Sequence, residues 1–106
     1  MTKTEELTYE LLRQAKATCS SPKAVFRYLH MVAPNDKVKL LATLLFLHER
    51  LLDLSQNTKA EESLILIIIS LMDHVNESEN DAMYKLHMEV IRPVIDRYLL
   101  EEGDFF

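Results

Sequence analysis

Four histidines, His30, His48, His74 and His87, and the single cysteine, Cys19, are the residues in this chain best suited to metal binding or nucleophilic chemistry. Two ligands on one helix must be three or four residues apart to share a face. No two of these histidines have that spacing. The nearest carboxylate pair, Glu49 and Asp53, lacks the H-E-x-x-H or E-x-x-H context of helical metal sites. The sequence therefore names no catalytic residue, no metal ligand and no cofactor. His48 and His87 lie in leucine- or methionine-rich stretches and read as core or boundary residues. Cys19 reads as a small core residue, since only neighbours in space could lower its pKa and make it reactive. Phosphate-cradling loops need several glycines near one helix start, and the chain has one glycine in all. The expectation is a protein that is not an enzyme.

The elements that would carry these residues are helices. One glycine and three prolines in 106 residues are too few for a protein built from hairpins and tight turns. With 48% hydrophobic residues the chain can bury a core without staples. The fold class expected is all-α, a compact bundle of four to five antiparallel helices in a single domain over 1–106. One cysteine forms no intrachain disulfide, and no charged, apolar and cleavable leader opens the chain. Both features point to a cytoplasmic location.

The strongest apolar segment is Leu64–Ile69, six large aliphatics in a row, continued by Leu71 and Met72. Helical residues step by about 100°, so such a run points apolar side chains in every direction. A buried strand would also tolerate it. The preceding Thr58-Lys59-Ala60-Glu61 has the T-x-x-E form of a capping box and decides for helix. A membrane span needs roughly 20 apolar residues, so this run is a core element. It should be surrounded by the other helices or by a second subunit.

Helices are expected at about 3–19, 22–32, 36–54, 59–75 and 79–101, followed by a tail at 103–106. Thr2-Lys3-Thr4-Glu5 is another capping box, and Leu7, Leu11, Ala15 and Cys19, widened by Leu12, form the first apolar stripe. Ser20-Ser21-Pro22 ends that helix and caps the next. The second helix has Val25, Phe26, Tyr28, Leu29 and Val32 as its apolar set. Ala33-Pro34-Asn35-Asp36 is the next stop and start. In 36–54 the leucines cover more than half the circumference, so this helix too wants neighbours on two sides. The last helix has Met83, Leu86, Val90, Val94 and Tyr98 or Leu99 as its stripe, with a bend at Pro93 and Gly103 at its end.

The net charge of −5 is unevenly placed. Residues 11–48 carry a balance of +5, and residues 49–106 one of −8. Such a dipole can steer a charged partner. With no chemistry legible, the reading is a small protein–protein interaction module, a regulator, inhibitor or adaptor that docks on a larger protein. Candidate partner-binding residues are Arg13, Lys16, Lys23, Arg27, Lys37 and Lys39, with the terminal Phe105 and Phe106. A homodimer is expected because two helices look apolar all round, with Leu47, Leu51, Ile65, Ile67 and Ile68 as candidate interface. The alternative is a helix-turn-helix-like nucleic-acid-binding regulator using the basic 13–39 region. Nucleic acid is the less favoured partner, since the helix that would enter the groove is leucine-rich rather than polar. No membrane span is expected.

Overall fold

A computed structural model describes residues 2–54, 59–77 and 87–93 of the chain. Four helices are bounded within them: α1 (Lys3–Thr18), α2 (Pro22–Val32), α3 (Asp36–Leu54) and α4 (Lys59–Glu77). Residues 87–93 are helical as well and are labelled α5. No strand occurs among the described residues. The architecture is an all-α bundle with a radius of gyration of 13.0 Å, the size of a compact chain of this length.

The helix starts follow from local side-chain chemistry. The Glu5 N–H donates to Thr2 Oγ1 at 3.2 Å, the Ala24 N–H to Ser21 Oγ at 3.1 Å, and the Val38 N–H to Asn35 Oδ1 at 2.9 Å. Each bond satisfies a backbone donor that a starting helix leaves unpaired. Pro22 occupies the first turn of α2, where its missing N–H costs nothing. The Thr58 cap, the helical spans expected at 79–86 and 94–101, the consequence of Pro93 for the residues after it, Gly103, Phe105 and Phe106 lie outside the described residues.

The central helix is α3, not α4. Leu40, Leu41, Ala42, Thr43 and Leu44 are all buried. Five successive residues sweep the whole circumference, so α3 is enclosed on every side. Thr43 is accommodated because its hydroxyl donates to the Lys39 carbonyl at 2.8 Å. α1, α2 and α4 each pack against α3. Phe26 of α2 meets Phe46 of α3 edge to face, with ring centroids 4.9 Å apart.

α4 has the more continuous apolar run yet buries only one side of it. Ile68 and Val75 are buried and Ile65, Leu71 and Met72 partly so, while Leu66, Ile67 and Ile69 are 64%, 51% and 36% exposed. The expectation that Leu64–Met72 is the surrounded core element is therefore corrected. A helix docked on the flank of α3 can bury only the half facing it. Two stripes are also displaced from their expected phase. In α1 the buried set is Thr8, Leu11, Leu12 and Ala15, with Leu7 outside it. Thr8 is tolerated there because its hydroxyl donates to the Thr4 carbonyl. In α5 the buried residues are His87, Met88 and Ile91, and Val90 is exposed.

His30 is partly buried, and this burial holds its imidazole below the ordinary pKa near 6.5; the positive charge of Lys39 adds to the lowering and Asp36 opposes it. A base whose pKa is lowered by folding is bound to fewer protons folded than unfolded, so the fold loses stability as pH falls below about 6.5. Urea unfolding midpoints measured from about pH 7.5 to about pH 5 should fall, and His30→Gln should flatten part of that slope; an unchanged slope would contradict the assignment. Phe26→Ala should cost about 3–5 kcal/mol in the same assay, as truncation of a fully packed aromatic does.

Candidate protein-docking groove

α1 and α4 stand on the same side of α3 and leave a groove between them. At one end it forms a hollow of about 230 Å³. Its floor is Leu41 and Leu45 of α3; its walls are Glu5, Thr8 and Tyr9 of α1 and Met72, Asp73 and Asn76 of α4. Leu41 and Leu45 lie level with Met72, Asp73 and Asn76, and only residues 55–58 join Leu54 to Lys59. α3 and α4 therefore run antiparallel.

The same register places further exposed aliphatics beyond the hollow, toward the end of α3. Ile69 lies one turn from Met72 and Asp73 on α4, and residues three and four apart are surface neighbours. Leu52, 55% exposed, lies two turns beyond Leu45 on α3, level with the start of the Ile65–Ile69 segment of α4. Tyr9, Leu45 and Met72 line the hollow, Leu52, Leu66 and Ile69 are exposed beyond it, and the half-buried His48 and Glu49 come between Leu45 and Leu52 on α3.

The charged residues of the hollow are Glu5 and Asp73, both acidic. Glu62 and Glu77 are exposed on α4 and lie on the Leu66–Asp73 side of the helix by their spacing. Of the three cations of α1, Lys3 is exposed, and Arg13 and Lys16 are matched by carboxylates. Arg13 pairs with Glu10, and this hydrogen-bonded contact holds the Glu10 carboxyl below its ordinary pKa. Lys16 Nζ lies 2.9 Å from Glu49 Oε2 and ties α1 to α3.

Of the other candidate cations, Arg27 is exposed, Lys23 and Lys37 are half-buried, and Lys39 is largely covered with its Nζ 3.6 Å from Asp36. Of the candidate interface residues, Leu47, Leu51 and Ile68 are buried within this chain's own core. They are corrected here: a residue enclosed by its own helices has no surface to offer a second subunit. Ile65 is half-buried and Ile67 is exposed. The sequence reading missed Tyr9, Leu45, Leu52, Leu66, Ile69 and Met72 as a surface. Its signal was the surplus of aliphatics in α4, which shows that some must face outward without showing which.

The His74 and His87 ring centroids lie 5.5 Å apart, bringing together residues of α4 and α5 that are 13 positions apart in sequence. Among the described residues no group of three or more His, Cys, Asp or Glu side chains could hold a metal ion. Cys19 is half-buried beside a second hollow of about 240 Å³, whose lining includes Lys16, Ser21, Arg50 and Asp53. Arg50 Nε is buried there without a hydrogen-bond partner among the described residues. Among the described residues no helix is long and apolar enough to cross a membrane.

Compared with known proteins, the chain matches no protein-family model, no curated protein and no solved structure.

A buried donor without an acceptor costs about 1–3 kcal/mol. Arg50→Met removes the donor and keeps the apolar stem. It should leave unfolding stability unchanged or raise it, and a loss above about 1 kcal/mol would show that the guanidinium is satisfied in solution.

Proposed function

We propose that the chain is a small non-enzymatic interaction module, a cytoplasmic regulator, inhibitor or adaptor that docks on a larger protein through the groove between α1 and α4. The observation that carries this reading is the exposure of Leu66 and Ile69 on a helix whose opposite side is seated on the central α3. Leu66 at 64% exposure and Leu52 at 55% lie outside the buried core. Outward aliphatics of this kind, on the helices that also wall a hollow lined by Glu5 and Asp73, are the composition of a protein-binding surface.

One further feature supports the homodimer reading. Ile67 is half exposed and projects from α4 about 160° away from the direction of Ile69. It belongs to a different surface from the groove and could meet its equivalent in a second copy. Sedimentation of Ile67→Glu beside the unmodified protein tests this: a dimer that becomes a folded monomer supports pairing there, and no change excludes it.

The docking reading is tested by placing a photo-crosslinking amino acid at Ile69, and at Arg13 as an exposed control, in the producing cell. A discrete adduct at position 69 that is absent at 13, and is lost with Leu66→Glu, is the expected result. Both positions silent in a folded protein would refute it.

A further inference from the structure

We infer that the occupant of the groove is a basic amphipathic helix of a partner protein, about three turns long, whose apolar stripe lies on α3 and α4 while its Lys or Arg side chains meet Glu5, Glu62 and Asp73. The inference rests on the docking reading above and adds the chemistry of the partner.

Length comes first. From Leu41 and Leu45, the floor of the hollow, to the exposed Leu52, α3 advances about 16 Å past His48 and Glu49 at 1.5 Å per residue, the length of about eleven helical residues. A helix lying between two helices and over a third buries apolar residues at i, i+3 or i+4 and i+7, which is the helix-in-groove mode of recognition. Tyr9 and Met72 stand at the hollow, and Leu52 and Leu66 are the exposed aliphatics beyond it.

Charge selects among the occupants. Glu5 and Asp73 line the hollow, and neither forms an ion pair among the described residues. Glu62 and Glu77 extend the acidic edge along α4, while Arg13 and Lys16 are neutralised by Glu10 and Glu49. A second copy is a poor match. Pairing two α4 helices antiparallel about Leu66 and Ile69 would set Leu66 against Ile69 and Glu62 against Asp73, placing like charges opposite each other beside the apolar contact. The chain's own C-terminal segment is a poor match as well, because Phe105 and Phe106 come with Glu101, Glu102 and Asp104. A partner segment with the opposite charge removes the repulsion and gains steering from the acidic side of the molecule.

The test uses two fluorescent peptides of about fourteen residues. Both carry the same leucines at i, i+4, i+7 and i+11; one has lysine and the other glutamate at the flanking positions. Anisotropy titrations at low salt should show the lysine peptide binding at least about tenfold more tightly, with the advantage shrinking as salt rises. The Glu62→Lys, Asp73→Lys double variant, altered only at exposed positions, should reverse the preference. Amide shifts in the NMR spectrum should move in α1 and α4 around Tyr9 and Ile69 rather than around Arg27. Equal binding of both peptides, preference for the glutamate peptide, or binding of neither would overturn the inference. So would concentration-dependent self-association that Ile69→Glu abolishes, which would make a second copy the occupant. If position 69 still gives its adduct in cells while the lysine peptide shows no advantage, docking stands and the basic-helix chemistry fails; if position 69 is silent, docking itself fails.

Discussion

The structure depends on the enclosure of α3. A helix buried on every side must exclude charge from its middle third, and the segment from Leu40 to Leu47 has none. The buried threonines, Thr43 in α3 and Thr8 in α1, return their hydroxyl protons to carbonyls one turn back, so burial leaves neither donor unsatisfied. Everything around α3 is then required to be one-sided. α1 and α2 meet that requirement with ordinary amphipathic patterns. α4 does not, because its aliphatics run past the face that α3 can cover. The groove is the geometric result: it lies where the edges of α1 and α4 meet over Leu41 and Leu45 without closing.

The parts legible in the sequence are the parts set by neighbours along the chain. Ser21-Pro22, Asn35 and Thr2 act within four residues of themselves, so the starts of α1, α2 and α3 could be read from the residue types alone. The choice of central helix could not. α3 and α4 are both aliphatic around their circumference, and what separates them is the surface that other helices present. One difference was visible: α3 places Ala42 and Thr43 inside its leucine run, and small residues allow neighbouring helices close approach, whereas Leu64–Ile69 has none. The phases of α1 and α5 were misplaced for a related reason. Leu7 and Val90 are apolar and correctly spaced, but a stripe only defines a face to within a residue or so, and Thr8 and His87 occupy the inside because a polar group near an edge can still find a partner.

The site residues divide in the same way. The candidate cations followed a charge count over a block of sequence, and three of the six, Arg13, Lys16 and Lys39, are matched by Glu10, Glu49 and Asp36. Two of those pairs join residues three apart on one helix, but Lys16 and Glu49 are 33 positions apart and join the basic block to the first acid of the acidic block. A surface pair of this type contributes at most about 1 kcal/mol. Its larger effect is on the field outside the molecule, since it cancels part of the positive end and leaves the α4 side as the clearer charged surface.

The position of α3 in the middle of the chain also orders events during synthesis. Residues 2–54 leave the ribosome before the aliphatics of α4, and α1 and α2 can cover two sides of α3 while the third is still open. Leu64–Ile69, the segment most prone to aggregate on its own, therefore emerges beside a seat already built for one of its faces. A circular permutation that moved α4 ahead of α1 would keep the same final contacts and lose that protection, exposing the whole aliphatic run for the time needed to make the helix that receives it.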